Sequence, residues 1–280
     1  MITVTDLTDL RLERAQLPEP LGLVPTMGFL HEGHLSLVRR ARQECASVAA
    51  TIFVNPTQFG ANEDLSTYPR DIPRDLSLLE ESGADLVWTP TPEIVYPPGF
   101  QTEINVKEVS VPLEGARRPG HFVGVATVVA KLFNAVQPQK AYFGQKDAQQ
   151  AVVLKRMARD LNMAVELVIC PIVREPDGLA MSSRNTYLNP QEREAATVLY
   201  RSLQAAQARF EAGERSAEAL RGEVARVVGA EPLANLQYVS CADPDTLGEL
   251  EGPVDRALLS MAVYVGTTRL IDNLLLGDQH

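Results

Sequence analysis

Two histidines, His31 and His34, stand three positions apart where an apolar segment passes into a helical pattern. The apolar residues of 21–24 predict a buried strand, and those of 35–41 recur at the spacing of an amphipathic helix. If that helix begins near His31, both imidazoles lie on one of its faces. The first N–H groups of a helix attract anions, and Gly28 would let the backbone approach a ligand closely. The pattern is typical of a corner that handles phosphate.

The histidine pair has other interpretations. It could be a metal pair, a capping coincidence or two satisfied surface side chains. The chain contains only four histidines, and two of them fall in this turn, which favours a functional use. Zinc is the weaker alternative, because Glu32 does not complete a His-Glu-x-x-His pattern and the three cysteines are scattered along the chain.

Four more polar clusters are predicted to lie at strand ends or in loops. They are Asn55 with Gln58; Arg118 with His121; Lys146, Asp147 and Gln150; and Ser182, Ser183 and Arg184. Basic side chains neutralise phosphate oxygens, hydroxyl groups bind them, and imidazoles stabilise charge that develops at phosphorus. Any one cluster alone has an ordinary explanation, such as a solvated lysine or a helix cap. Together, at the ends of strands, they indicate a polyphosphate ligand.

Composition limits the classes of protein to consider. The chain has 280 residues, of which 45% are hydrophobic and 22% charged, as expected for one large or two unequal globular domains. A formal net charge of −10 disfavours a protein that clamps a nucleic-acid backbone. The cysteines form no Cys-x-x-Cys pair, the first residues lack the features of a signal peptide, and no apolar run approaches roughly 18 residues. We therefore expect a cytoplasmic protein with no nucleic-acid or membrane partner.

Strand and helix patterns alternate through the first part of the chain. After the helix near His31, residues 46–54 are apolar at both parities, as in a strand buried on both faces. Further strands are predicted at 85–88, 102–106, 141–143 and 165–170, and helices at 73–82, 121–136 and after 147. Such βαβ units imply a parallel sheet whose ligands gather at the carboxyl ends of its strands. Residues 25–34 and 55–60 should then share one crevice.

The character of the chain changes after residue 171. Helical patterns at 190–212 and 216–228 precede strands at 236–240, 258–265 and 269–275 that no helices separate. This order predicts an α+β domain. We place the boundary between residues 1–175 and 176–280.

Several blocks of the sequence are similar to one known family. They are residues 25–34, 52–60, 64–70, 120–122, 142–150 and 177–185. On these blocks the chain resembles the pantoate–β-alanine ligases (pantothenate synthetases), in the nucleotidyltransferase superfamily. The resemblance covers nearly the whole first domain and reaches just past its end.

The resemblance implies an α/β fold, with a Rossmann-like parallel sheet in an ATP- and pantoate-binding domain and a smaller α+β C-terminal domain that covers the active site. It also implies a two-step reaction. The pantoate carboxylate attacks the α-phosphorus of ATP to give pantoyl adenylate and pyrophosphate, and the β-alanine amine then displaces AMP to give pantothenate. Mg²⁺ is implied as the counter-ion of ATP, without assigned protein ligands, and the implied assembly is a homodimer.

The resemblance also implies roles for individual residues. The implied ATP contacts are Met27, Gly28, His31, His34, Gly144, Lys146, Asp147, Val173, Met181, Ser182, Ser183 and Arg184. His34 is the implied proton donor with His31 beside it, and Lys146 and Arg184 complete the catalytic set. Gln58 and Gln150 are the implied pantoate ligands, and Asn55 is placed with them.

Three positions depart from the family pattern. Phe29 stands where alanine is expected, Gln145 where glutamate is common, and Ala148 where an aromatic residue is frequent. Phe29 and Ala148 would alter packing beside the site. Gln145 removes any carboxylate role at its position.

Other functions remain as alternatives. An adenylyltransferase of the same superfamily would favour basic residues near position 58, where this chain has amides. An aminoacyl-tRNA synthetase is disfavoured by the acidic balance and the lack of an anticodon-binding extension. A non-catalytic nucleotide-binding protein would not need every polar position to be filled.

Overall fold

The computed structural model describes residues 1–60 and 63–277. The strands are β1 (Ile2–Val4), β2 (Leu21–Thr26), β3 (Ser47–Ile52), β4 (Leu86–Trp88), β5 (Lys140–Gly144), β6 (Glu166–Cys170), β7 (Ala234–Ala242), β8 (Ala257–Val265) and β9 (Thr268–Leu276). The helices are α1 (Leu7–Arg14), α2 (Glu32–Glu44), α3 (Ile72–Glu81), α4 (Pro92–Val95), α5 (Glu114–Arg117), α6 (His121–Val136), α7 (Ala148–Asp160), α8 (Pro190–Ala195), α9 (Val198–Glu211) and α10 (Ala217–Gly229). Short 3₁₀ turns occupy Pro56–Gln58, Gln145–Asp147 and Ser183–Tyr187.

Strands β1 to β6 form one parallel sheet in the order β1-β4-β3-β2-β5-β6. β3 is buried along its whole length and β2 along nearly all of its length, as their apolar residues at both parities predict. The order of the strands reverses at β2, which pairs with β3 on one side and β5 on the other. In sheets of this type, ligands bind outside the carboxyl ends of the strands at the reversal.

Contacts along the chain divide it into two compact units. The first contains Met1–Gly144 and Val153–Pro171, and the second contains Gln145–Val152 together with residues 172–277. In the second unit, α9 and α10 pack on the antiparallel sheet β7-β8-β9 around a core that includes Leu203, Leu220 and Met261. The predicted α/β fold with a smaller α+β part is confirmed. Within the described residues, no helix is long and apolar enough to cross a membrane.

Most predicted elements occur where expected, with two clear differences. Helix α6 has the predicted bounds, and its apolar stripe is buried. The predicted strand at 102–106 is wrong: this stretch is irregular, and the N–H of Ile104 donates to the hydroxyl of Thr127 (2.9 Å) instead of to a neighbouring strand. The segment is largely exposed, so its apolar alternation has no sheet to pack on. The pattern at 190–212 forms two helices, α8 and α9, instead of one.

A buried carboxylate on α3 fixes the turn that follows β2. Gly28 and Phe29 have φ values of 86° and 51°, in the left-handed region that is unfavourable for a bulky residue such as Phe29. Asp75 is fully buried, and its two carboxylate oxygens accept hydrogen bonds from the backbone N–H groups of Phe29 (2.6 Å) and Leu30 (2.8 Å). These charge-assisted bonds hold the turn open just before the first histidine. The shape of the turn therefore depends on a side chain from the second helix after it.

Asp75→Asn should destabilise the protein measurably. Asparagine offers one acceptor oxygen and one NH₂ group where two backbone donors converge, so one N–H loses its partner. We expect the free energy of unfolding to fall by about 1–3 kcal/mol in urea denaturation. Glu81→Gln, at an exposed position of the same helix, is the matched control and should change it by less than about 0.5 kcal/mol. Equal stability of the Asp75 variant and the parent would contradict the role assigned to this carboxylate.

Candidate functional site

The two histidines lie together at the start of α2. His31 is the N-cap residue, and its Nδ1 accepts from the N–H of Gly33 (3.2 Å). The Nδ1 of His34 accepts in turn from the N–H of His31 (3.4 Å). The ring centroids are 4.1 Å apart, so both imidazoles occupy the same face at the positive end of the helix. Because each Nδ1 accepts, a neutral ring carries its proton on Nε2, which makes Nε2 the donor atom of both rings.

A second group of polar residues follows β3. Asn55 caps the 3₁₀ turn Pro56–Gln58, and its Nδ2 donates to Oε1 of Gln58 (3.0 Å). The Nε2 of Gln58 donates to Sδ of Met27 (3.3 Å), in the turn that leads to the histidines. The structure therefore brings Met27, Asn55 and Gln58 together at the carboxyl ends of β2 and β3. Residues 25–34 and 55–60, which the sequence predicts to share one crevice, are therefore in contact through Met27 and Gln58.

Asn55 is a buried residue, with 1% of its surface exposed. Its Oδ1 accepts from the hydroxyl groups of Tyr96 (2.8 Å) and Thr57 (3.0 Å). Burial raises the pKa of Tyr96, so its hydroxyl stays protonated and donates. The amide of Asn55 is thus engaged with protein groups and orients Gln58; a direct contact of Asn55 with substrate stays a prediction.

Arg118 and His121 form a network behind Gln58. His121 is 8% exposed, with its Nδ1 2.8 Å from the carbonyl oxygen of Gln58 and its Nε2 3.0 Å from Nη1 of Arg118. Arg118 also donates two hydrogen bonds, of 2.6 Å each, to the carboxylate of Glu63. Burial, aided by the positive charge of Arg118, lowers the pKa of His121 to about 4. His121 and Arg118 therefore bind other parts of the protein.

A cavity of about 220 Å³ opens at the same edge of the first unit. Its lining is mostly apolar and includes Met27, Phe53, Val54 and Ile72. Gly28 also lines it, and a Cβ there would stand 3.0 Å from both Asp75 Oδ2 and Ile52 Cγ2. The backbone of the turn therefore forms part of the cavity wall, and its close approach to a ligand stays a prediction.

In the second unit, Asn273 of β9 fixes the turn Gln145–Asp147. Its Nδ2 donates to the carbonyl oxygens of Gln145 (3.0 Å) and Lys146 (2.9 Å), and its Oδ1 accepts from Nε2 of Gln145 (3.0 Å). Lys146 lies 3.9 Å from the carboxylate of Asp147 in a loose ion pair. The departure at position 145 thus has a structural use, because the side-chain amide of Gln145 donates to Asn273, which the carboxylate of a glutamate could not do.

Other predicted residues flank this turn. Gly144 is the last residue of β5, and Gln150 is half-buried in the first turn of α7. Ala148, the third departure from the family pattern, begins α7 and is buried. Phe29, which also departs from the family pattern, lies in the turn after β2. The guanidinium of Arg74 lies over its ring, 5.6 Å from the ring centroid.

Residues 173–181 form a short hairpin in the second unit. The N–H of Met181 donates to the carbonyl of Val173 (3.0 Å), and Arg174 makes two hydrogen bonds, of 2.7 and 2.9 Å, to Asp272 of β9. Directly after the hairpin, Ser182 caps the turn Ser183–Tyr187 by accepting from the N–H of Arg184 (3.3 Å). β9 packs against this turn and against Gln145–Asp147. One strand therefore supports both segments that carry the predicted phosphate-binding residues.

Sequence reasoning did not identify three residues that organise these sites: Asp75, Asp272 and Asn273. Asp75 lies within a predicted helix and has no local signal beyond its apolar neighbours. Asp272 and Asn273 did have a local signal, because these two polar residues interrupt the apolar pattern of residues 270–275. In the structure they are only 2% and 3% exposed, respectively. Among residues 1–60 and 63–277, no group of three or more His, Cys, Asp or Glu is placed to hold a metal ion.

Comparison with known proteins adds to this geometry. The family model described as pantoate-beta-alanine ligase matches residues 2–275 of the chain. A curated pantothenate synthetase from Roseiflexus sp. is 63% identical over 276 residues, which is 99% of each chain.

Solved structures agree with the sequence match. The crystal structure of pantothenate synthetase from Thermus thermophilus has a TM-score of 0.94 and 49% identity, covering 98% of this chain and 99% of that one. The pantoate-beta-alanine ligase from Francisella tularensis, solved as a complex with beta-gamma ATP and beta-alanine, has a TM-score of 0.81 and 34% identity over 98% of this chain and 97% of that one. From its first strand to its last, this chain belongs to the pantoate-beta-alanine ligase family.

Proposed function

We propose that this chain condenses pantoate with β-alanine at the expense of ATP. In the first step a carboxylate oxygen of pantoate attacks the α-phosphorus of MgATP, which forms the acyl–phosphate bond of pantoyl adenylate and expels pyrophosphate. In the second step the amine of β-alanine attacks the acyl carbon, loses a proton and expels AMP, which leaves pantothenate. Membership of the family supports the overall reaction. The ligands of the Francisella tularensis relative support ATP and β-alanine as substrates.

The observation that carries the proposal is the imidazole pair at the start of α2. Attack on the α-phosphorus moves negative charge onto the phosphate oxygens and onto the departing pyrophosphate. Donors that are already oriented stabilise this charge without a reorganisation cost. His31 and His34 have their Nδ1 atoms fixed by backbone N–H groups, so Nε2–H is the donor at the positive end of a helix dipole. We assign His34 as proton donor, with His31 beside it.

Gln58 supplies the proposed recognition of pantoate. Pantoate is a singly charged acid with two hydroxyl groups, and a primary amide can both donate to and accept from such a molecule. The side chain of Gln58 is half-buried and is held by Asn55 and Met27. Gln150 is proposed as the second pantoate amide, with Asn55 behind the first.

Residues of the second unit are proposed to bind the phosphates of ATP. Lys146, Ser182, Ser183 and Arg184 supply the ammonium, hydroxyl and guanidinium groups that phosphate oxygens prefer. The remaining proposed ATP contacts are Met27, Gly28, Gly144, Asp147, Val173 and Met181. Mg²⁺ enters with ATP as part of the substrate, and we assign it no protein ligand.

Positioning and charge stabilisation together should supply most of the expected rate enhancement. Holding a carboxylate against the α-phosphorus turns a bimolecular encounter into an intramolecular step, which is worth up to about 7–11 kcal/mol. The rigid supports at Asp75 and Asn273 serve this purpose, since a reacting geometry is only as well defined as the turns that carry it. We further propose that residues 1–175 form the ATP- and pantoate-binding domain, that residues 176–280 form the α+β C-terminal domain, and that the protein is a cytoplasmic homodimer. The cytoplasmic location is supported by the three cysteines, which are all free and buried. The homodimer is supported by the family resemblance.

The direct test is isotope exchange between pyrophosphate and ATP. With pantoate present and β-alanine absent, labelled pyrophosphate should enter ATP, because the first step is reversible and the second cannot proceed. Omitting pantoate is the control and should abolish exchange. Exchange that needs a phosphorylated acceptor instead would favour an adenylyltransferase. ATP binding without any exchange would favour a non-catalytic protein.

His34→Ala should lower turnover by about 10²–10⁴-fold, the range for loss of a positioned proton donor or charge-stabilising group. Steady-state kinetics measures the effect, and circular dichroism checks that the fold is intact. Ser36→Ala changes the same helical turn, where the serine hydroxyl donates to the carbonyl of Gly33 (2.8 Å), and should retain activity. Unchanged turnover in the His34 variant would remove this residue from the mechanism.

Gln58→Ala should weaken pantoate binding far more than ATP binding. Loss of hydrogen bonds to a charged ligand costs about 1.5–3 kcal/mol, so the KM for pantoate should rise about 10- to 100-fold. The KM for ATP, measured in the same assays, should stay within about threefold. A similar rise for both substrates would reassign Gln58 to a general structural role.

A further inference from the structure

We propose that His121 is a positioning residue for pantoate: its ring fixes the Gln58 peptide and thereby directs the Gln58 amide toward the substrate. This inference rests on the proposed function, because it requires Gln58 to bind pantoate. His121 itself lies behind the site. Its effect on the reaction would pass entirely through Gln58.

The hydrogen bonds around His121 define its tautomer. A guanidinium group can only donate, so Nε2 of His121 must accept from Nη1 of Arg118 (3.0 Å). The proton of the neutral ring is therefore on Nδ1, which donates to the carbonyl oxygen of Gln58 (2.8 Å). The two bonds from Arg118 to the carboxylate of Glu63 hold the guanidinium in place. Each group in the chain Glu63, Arg118, His121 and Gln58 orients the next one.

The surroundings keep the ring in this form. Burial together with the charge of Arg118 lowers the pKa of His121 to about 4, so the ring is neutral under ordinary conditions. Protonation would place an Nε2–H against an N–H of the guanidinium. Both ring nitrogens have protein partners, and the residue is 8% exposed. His121 is therefore unsuited to proton transfer or to contact with a ligand, whereas it is well suited to hold a peptide group.

Helix α6 holds the Gln58 turn at two further points. The carbonyl of Gly124 accepts from Nδ2 of Asn55 (3.2 Å), the same group that donates to the side chain of Gln58. The backbone of Gly124 is also in close contact with the turn. A Cβ at this position would be 2.5 Å from the carbonyl oxygen of Thr57 and 2.7 Å from the nitrogen of Gln58, too close for any side chain. The first turn of α6 thus fixes both the main chain and, through Asn55, the side chain of Gln58.

Two substitutions of His121 separate positioning from general stability. In His121→Asn, the side-chain NH₂ can replace Nδ1–H as donor to Gln58 but does not reach Arg118. In His121→Gln, the longer amide reaches the place of Nε2 and can accept from Arg118, but it has no donor at the place of Nδ1. The two variants are similar in polarity, and each keeps one of the two hydrogen bonds.

We expect the two variants to differ in their KM for pantoate. His121→Gln should raise the KM for pantoate about tenfold or more, as for the loss of one oriented hydrogen bond, and leave the KM for ATP within about twofold. His121→Asn should keep the KM for pantoate within about threefold of the parent. A purely structural role would instead affect both substrates alike and follow thermal stability. Equal pantoate KM values for the two folded variants would overturn the inference.

A measurement on the unmodified protein covers the case in which His121→Gln does not fold. Nitrogen-15 NMR of the histidine rings at neutral pH should show His121 as the Nδ1–H tautomer, and an Nε2–H tautomer would overturn the inference. Failure of the proposed function is distinguishable, because it would appear in the unmodified enzyme as absence of pantoate-dependent exchange. Failure of the positioning inference alone would leave that exchange intact.

Discussion

The carboxylate of Asp75 is the constraint on which the first unit's site depends. A buried charge is expensive unless hydrogen bonds compensate it, and Asp75 obtains two of them from the backbone of Phe29 and Leu30. In return, a turn with two consecutive residues at positive φ acquires a single stable shape. The cap at His31 and the close contact between the two imidazoles follow directly after this turn in the chain, so their placement depends on it.

The second unit uses the same device with different residues. Asp272 and Asn273 are consecutive on β9; the first binds Arg174 of the hairpin, and the second binds two carbonyl groups of the turn at Gln145 and Lys146. Both are buried polar side chains that bind loop segments through side-chain hydrogen bonds. Because unsatisfied buried polar groups are costly, such residues restrict a loop to the few conformations that satisfy them. Loops that carry charged side chains can in this way be as well defined as the strands beside them.

The sequence was sufficient to predict the elements and many of the proposed site residues, but not their supports. Helix α6 and strands β2 and β3 follow from local periodicity, and the histidine pair from its position between a strand and a helix. The prediction of a strand at 102–106 was wrong, because the periodicity of a segment does not show whether a neighbouring strand exists for it to pair with. Asp75 and His121 act across 45 and 63 positions of the chain, respectively, and no local pattern contains that information.

The network behind Gln58 also has an electrical consequence. The negative charge of Glu63 balances the positive charge of Arg118, and burial keeps the His121 ring uncharged, so these three side chains together contribute no net charge. Because these side chains have no net charge, they give no extra electrostatic attraction to a doubly charged phosphate ester. They also impose little electrostatic repulsion on a monoanionic hydroxy acid. Discrimination at this position would then come from the shape and hydrogen bonding of the acceptor, and changes in ionic strength would have little influence on it.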